Sequence, residues 1–296
     1  MKPAPFEYFR PRSLDEALTL LTQHGSDAKP LAGGQSLIPA MNFRLAMPAV
    51  LVDLNALPGL SDIAPEHGGA GGLDIGGMTR QRQVERSAMV AERAPLIAET
   101  MPYVAHAAIR NRGTMGGSLA HADPAAELPA VMVALDATLT LANVSGTRVV
   151  PASGFFLGLF PTALQPGEIL ARIHVPSRRP RSGFAFEEIS RRHGDFALAG
   201  VAAVVELDDR GHCAGARIAL LSVGDRPMLA EHAATTLAGH RPEPELVRAA
   251  ADAAAASDID PSSDIHASAR FRRQLANVLT RRALTKAFER AARESG

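Results

Sequence analysis

The chain has 296 residues, 46% of them hydrophobic, which is enough to bury a sizeable core and to form two or three compact units. Its 31 Lys and Arg balance 31 Asp and Glu, so the overall charge points to neither nucleic acid nor an anionic membrane surface. A single cysteine, Cys213, excludes an intramolecular disulfide and any iron–sulfur cluster or structural zinc held by cysteines of this chain alone.

The opening residues, Met1 to Tyr8, have no apolar signal core, and no run is long enough for a membrane span, so a cytoplasmic protein is expected. Ser13-Leu14-Asp15-Glu16 reads as a capping box. Behind it Leu14, Ala17, Leu18 and Leu21 share one helical face, and Gly25 is a plausible stop. A short strand over 29–32 runs into Ala32-Gly33-Gly34-Gln35-Ser36-Leu37. Ser36 is placed to cap the short helix that follows, and 48–54 is an apolar strand. Residues 1–55 thus form a small β-α-β-like lobe whose glycine turn faces a ligand.

Gly68 to Gly72 reads as a hairpin tip between strands near 60–63 and 73–75. The cluster does not fit G-x-G-x-x-G, and the chain has no P-loop, which argues against Rossmann and kinase readings. A helix is expected over 95–108, with Leu96, Ile97, Met101, Val104 and Ala108 on one side. It runs into a second glycine stretch, Thr114-Met115-Gly116-Gly117-Ser118, read as another turn before a helix over 127–135. Strands follow at 137–142 and 168–175, and 176–180, with Arg178, Arg179 and Arg181 nearby, is a linker. The third unit reads as a three-stranded antiparallel meander (184–189, 197–207, 216–223) and helices over 228–237, 243–256 and 266–292. The last helix carries Phe271, Leu275, Val278, Leu279 and Phe288 on its apolar side, with arginines opposite. Cys213 is expected to be a small buried apolar residue on a strand or hairpin edge.

Adjacent glycines let a backbone turn through φ > 0 and come close to a ligand, and the N–H groups of such a turn form an anion-binding concavity. Two turns of this kind hold a diphosphate from both sides, which points to a flavin dinucleotide. The spacing of His121 and Asp123, with His106 upstream, gives little support to a metal site, and no catalytic dyad stands out.

The pair Ala-Gly-Gly-Gln-Ser (32–36) and Thr-Met-Gly-Gly-Ser (114–118) resembles the FAD-binding medium subunit of molybdenum hydroxylases, the group of aerobic carbon monoxide dehydrogenase and xanthine dehydrogenase. Other features follow in the same order: Phe6 to Pro11, Val52-Asp53-Leu54, Ile109-Arg110-Asn111, Asp123-Pro124, Gly167 to Leu170 and Arg192 to Ala197. The resemblance implies an α+β chain with a two-lobed FAD-binding domain of the vanillyl-alcohol-oxidase-like (PCMH-type) class over 1–177, its lobes 1–55 and 56–177. An α+β C-terminal domain over 178–296 would follow.

It also implies roles. Ala32, Gly33, Gly34, Gln35, Ser36 and Leu37 would wrap the FAD diphosphate, and Thr114, Met115, Gly116, Gly117 and Ser118 would grip it from the other side. Asp123, after Ala122, would accept from a cofactor hydroxyl, while Ile109 and Leu170 would pack on a ring. Arg191 and Arg192 are candidates for tuning the reduced flavin. Phe196 stands where relatives place a tyrosine beside the isoalloxazine, and Ser118 where many have asparagine or aspartate. The resemblance implies an electron-transfer subunit that takes electrons from 2Fe–2S clusters on a small partner, with molybdopterin on a large partner, in a dimer of heterotrimers. Two alternatives stand beside it: a self-sufficient flavin reductase or oxidase with a similar fold, and a scaffold without flavin.

Overall fold

The computed structural model describes residues 1–66 and 71–293. It opens with strand β1 (Glu7–Phe9), helix α1 (Leu14–His24), strand β2 (Ala28–Leu31), helix α2 (Leu37–Asn42) and strand β3 (Val50–Asp53). β3 lies between β1 and β2 and parallel to both. Parallel neighbours need crossovers, which α1 and α2 supply. Ser13 caps α1 as expected, its Oγ accepting from Glu16 N at 3.2 Å, but Glu16 reaches back to Arg12 N rather than to the cap itself. Ser36 does not cap α2. Its own backbone is already helical (φ −102°, ψ −45°), and its hydroxyl accepts no N–H of the first turn.

The second lobe is antiparallel. Strands β4 (Ile63–Pro65) and β5 (Leu73–Gly76) pair as the hairpin expected there, and positions 68–70 of its tip lie outside the described residues. Six helices follow: α3 (Gln81–Arg86), α4 (Ala88–Arg93), α5 (Pro95–Thr100), α6 (Ala107–Arg110), α7 (Met115–His121) and α8 (Glu127–Ala134). Strands β6 (Thr138–Asn143), β7 (Gly146–Pro151) and β8 (Ile169–Val175) complete a sheet of order β4-β5-β8-β6-β7.

The single helix expected over 95–108 is two. Pro102 would clash with the carbonyl four residues back if the helix continued, and Ala105 then turns the chain at φ 45°. Leu96, Ile97, Met101 and Val104 are buried as expected, but Ala108 beyond the break is exposed.

The third unit is a four-stranded antiparallel sheet, one strand more than expected. Strands β9 (Ser182–Ser190), β10 (Ala197–Leu207) and β11 (Cys213–Leu221) form the meander, and β12 (Met228–Leu229) adds a short edge where a helix start was expected. Helix α9 (Glu231–Leu237) begins later because its cap comes from far along the chain: Asp258 accepts from His232 N and Ala233 N, each at 3.1 Å. Helices α10 (Pro244–Ser257) and α11 (Ala269–Arg293) close the chain.

This sheet is covered on both faces, and the period-2 alternation of its strands decides which residue goes where. Ala199, Val201, Ala203 and Val205 pack under α9 to α11, while Phe186, Ala202, Ala219 and Leu221 join the core of the preceding lobe beneath the fully buried α8. The buried stripe of α11 is rotated from the expected one. Ala276, Leu279, Ala283, Leu284, Ala287, Phe288 and Ala291 line it, and Phe271 is exposed. Arg272 is on the buried side because its guanidinium finds partners there, donating to Leu198 O, Ser222 O and Asp264. Cys213 is buried on its strand as expected, and burial pushes its thiol up to about 11.

Candidate functional site

Leu31 ends β2 and Asp53 ends β3, so two parallel strands deliver their carboxyl ends to one edge, where open sheets hold ligands. A cleft of about 530 Å³ lies there, lined by Tyr8, Ala32 to Gln35, Ile38, Pro39, Asp53, Asn55 and Arg112 among others. Gly34 has φ 72°, which lets the turn close without strain. Among the described residues no protein acceptor takes the backbone N–H of Gly33, Gly34, Gln35 or Ser36. These are free donors at a concave surface. The Arg112 side chain beside them makes no ion pair among the described residues.

The second glycine stretch is built differently from the turn expected. It is the start of a helix. Thr114 is extended (φ −118°, ψ 156°) and caps α7, its Oγ1 accepting from Gly117 N at 3.0 Å. Met115 N donates to Thr79 O and Gly116 N to Gly77 O, so the segment's donors are used within the protein. A threonine with a hydroxyl three residues before an unpaired N–H is an N-cap signal, and here it prevails over the pair of glycines. The glycines serve close approach instead. A Cβ on Gly116 would stand 2.6 Å from Gly77 O, and one on Gly117 would stand 3.5 Å from the Ala32 methyl. Across the gap, a Cβ on Gly33 would meet Arg112 O at 2.4 Å. The two stretches therefore touch, the first presenting donors and the second forming the wall behind it.

The remaining candidates lie at graded distances from this contact. Ile109 is half-buried on α6, and its carbonyl accepts from Gly113 N just ahead of Thr114. Ala122 is buried and left-handed (φ 53°) at the C-terminal cap of α7. Asp123 accepts from Ala125 N at 2.9 Å, and its carbonyl from Ala126 N, so it shapes its own turn rather than capping α8. Leu170 is a core residue of β8 whose carbonyl backs Gly77, one step behind Gly116. Arg192 and the 71% exposed Phe196 sit on the β9–β10 hairpin, outside the cleft. That hairpin leans, through Gly194, on Ala105 and His106 at the entry to α6. Ser36 and Leu37 lead from the free donors into α2.

Sequence reasoning missed the other wall of the cleft. Tyr8, Asp53 and Asn55 form a hydrogen-bonded chain there, Tyr8 donating to Asp53 and Asn55 N donating to Asp53 Oδ1 at 2.9 Å. Burial works against the Asp53 carboxylate, but the Tyr8 and Asn55 donors hold its pKa below the ordinary value. The usable signal was an acid at the carboxyl end of a parallel strand. Glu127 opens α8 and Glu188 lies on β9; burial pushes the first up to about 7 and the second up to about 9, each also opposed by a neighbouring carboxylate. Glu85 and Arg110 pair nearby at 3.0 Å through two bonds, and Arg110 also donates to Val104 O and Ala105 O.

Free donors on a turn, a cation and a touching glycine wall fit the diphosphate of a dinucleotide, and the fold around them is a two-lobed cofactor domain with a second domain packed on it. Comparison with known proteins agrees. Residues 4–178 match the model of the FAD binding domain in molybdopterin dehydrogenase, and residues 184–287 that of the CO dehydrogenase flavoprotein C-terminal domain. The 6-hydroxypseudooxynicotine dehydrogenase complex subunit alpha of Paenarthrobacter nicotinovorans is 41% identical, over 98% of this chain and 97% of that one. The carbon monoxide dehydrogenase medium chain of Hydrogenophaga pseudoflava is 40% identical, over 99% of this chain and 100% of that one. A solved structure of carbon monoxide dehydrogenase from the same organism superimposes with a TM-score of 0.94 at 41% identity, covering 98% of this chain and 99% of that one. The chain belongs to the FAD-binding medium subunits of the molybdenum hydroxylase family. FAD is the cofactor of its first domain.

Proposed function

We propose that this chain is the FAD-carrying electron-transfer subunit of a molybdenum-containing dehydrogenase. Bound FAD supplies a carrier able to take electrons from one-electron centres and pass them to an external acceptor. The observation that carries the reading is the set of unpaired N–H groups from Gly33 to Ser36, faced by Arg112 and closed by the second glycine segment. Those donors, with Gln35 and Leu37, would hold the diphosphate, and Thr114 to Ser118 would fix how closely the wall stands. Ile109, Ala122, Asp123 and Leu170 would frame the flavin end beyond it, and Arg192 and Phe196 would close it from the hairpin.

The partners we propose are a large molybdopterin subunit, where substrate is oxidised, and a small subunit with the 2Fe–2S clusters, in a dimer of heterotrimers. The single cysteine of this chain is consistent with clusters held elsewhere, and relatives are named as subunits or chains of dehydrogenases. Among the described residues no helix is long and apolar enough to cross a membrane. We place the complex in the cytoplasm, as a chain with one cysteine needs no oxidising compartment. The division we propose is 1–177, with lobes 1–55 and 56–177, and 178–296; the exposed stretch at 176–180 supports the boundary between the two domains.

The test is an absorbance titration of the purified chain with FAD, then of Gly117→Val. Flavin bands at near-unit occupancy that vanish in the variant are expected, because the added side chain displaces the Thr114 hydroxyl that caps α7, 2.7 Å from the new Cβ, and fills the gap to Ala32. A wild-type chain that takes no flavin, alone or co-expressed with its partner subunits, would leave the scaffold reading instead.

A further inference from the structure

Asn55 and Arg80 lie outside both glycine stretches, yet together they touch both. Asn55 Nδ2 donates to Ala32 O at 2.9 Å, at the base of the first turn. Asn55 Oδ1 accepts from one arm of the Arg80 guanidinium, and the other arm of the same guanidinium donates to Arg112 O. That carbonyl is the atom that faces Gly33, and Arg112 leads through Gly113 into Thr114. The backbone of Arg80 is anchored on the same side. It bridges Thr114, while its neighbours Thr79 and Gln81 bond Met115 N and Gly113 O. One planar side chain thus spans the seam between residues 1–55 and 56–177 at the rim of the cleft.

The far end of the link is fixed as well. Asp53 Oδ1 accepts from both the backbone and the side chain of Asn55, and Tyr8 donates to Oδ2. Tyr8, Asp53, Asn55 and Arg80 make a chain of four side chains with Ala32 O and Arg112 O as its two outlets. Burial and the neighbouring Arg112 charge both lower the Arg80 pKa, so two guanidiniums share this rim, with the Asp53 carboxylate opposing.

We propose that Asn55 and Arg80 are positioning residues for the cofactor, a two-residue clasp that sets the separation of the two glycine segments to the span of a diphosphate. The inference rests on the FAD reading above. Two features of the clasp favour this role over ordinary stabilisation. Asn55 is exposed, and hydrogen bonds made in water add little to folding stability while still defining a geometry. The Arg80 fork is also bidentate to two different lobes, which a monodentate ammonium cannot reproduce.

The experiment measures the FAD dissociation constant of the full chain by flavin fluorescence, together with the melting temperature of the flavin-free protein. The variants are Asn55→Ala, Arg80→Ala, Arg80→Lys and the Asn55→Ala/Arg80→Ala double. Each alanine variant is expected to weaken FAD binding about tenfold, with the double variant no weaker than the weaker single, because both break one link. Arg80→Lys should bind as weakly as Arg80→Ala. Melting of the flavin-free chain should move by less than about 3 °C in every case. Unchanged affinity, additive losses in the double variant, or full affinity in Arg80→Lys would overturn the clasp while leaving the FAD reading in place. A fall in affinity matched by a large fall in melting temperature would also overturn it, as that marks a structural role. A wild-type protein without flavin, even in its complex, overturns the FAD reading and the clasp with it.

Discussion

Gly33→Ala is the smallest change that separates the contact between the two glycine segments from every other property of the turn. Gly33 does not have a left-handed backbone, so alanine is conformationally allowed there and only its methyl acts. That methyl would stand 2.4 Å from Arg112 O, 2.8 Å from Gly113 Cα and 2.9 Å from Arg112 C. All three are backbone atoms, and none can rotate away. Reaching even 3.0 Å from the carbonyl requires an opening of 3.0 − 2.4, about 0.6 Å, and an ordinary contact needs more. Forcing a methyl into a closed backbone contact costs about 1–3 kcal/mol, which lowers the melting temperature by roughly 2–5 °C in a chain of this size. FAD affinity should fall further, by about 100-fold, because the donors of the first segment no longer stand at the right distance from the wall of the second. Gly59→Ala is the control: it carries the strain of φ 73° but its methyl meets nothing within 4 Å, so it should lose stability and keep its flavin. Flavin titration and thermal melting of the two variants decide the matter. A Gly33→Ala chain that binds FAD like wild type would refute the argument that touching segments set the site.

Two further predictions concern groups behind the site. Glu188 and Glu127 are raised above the ordinary value of 4.5, so the folded chain keeps protons that the unfolded chain releases, and stability falls as pH rises from about 4.5 through about 9. Glu188→Gln should therefore melt roughly 5 °C above wild type at pH 8 and converge with it below about pH 4.5; parallel curves across pH would refute this. Arg110→Met removes the buried partner of Glu85, leaving that carboxylate to Arg82 alone and the carbonyls of Val104 and Ala105 without their donor. A loss of about 2–4 kcal/mol, roughly 3–6 °C in melting temperature, is expected from the two orphaned carbonyls and the weakened pair, whereas less than about 1 kcal/mol would mean that water replaces the guanidinium.

Local signals in the sequence were reliable where the cause is local. Ser13 caps its helix, the 176–180 stretch is exposed, and the strand expected over 197–207 forms with those bounds. The errors fall where a distant residue decides. The true start of α9 is not readable near residue 228, because the carboxylate that caps the helix belongs to Asp258, far along the chain. The stripe on α11 was displaced because Arg272, polar by type, finds two carbonyls and a carboxylate inside. In the site itself both glycine stretches were visible, and their contact was not. Asn55 and Arg80 carried no local pattern at all, since their meaning lies in what they join.

The position of α8 also constrains how the chain can be made. All eight of its residues are buried, and part of that cover is the sheet of β10 and β11, whose residues come later in the chain. During synthesis from the N-terminus the cofactor domain therefore emerges with an apolar helix bare, and it stays so until the meander has been translated and folded onto it. The two family domains form a single folding unit in this respect: a fragment ending near residue 178 would carry a sticky face, and expression of the cofactor domain alone should yield aggregate.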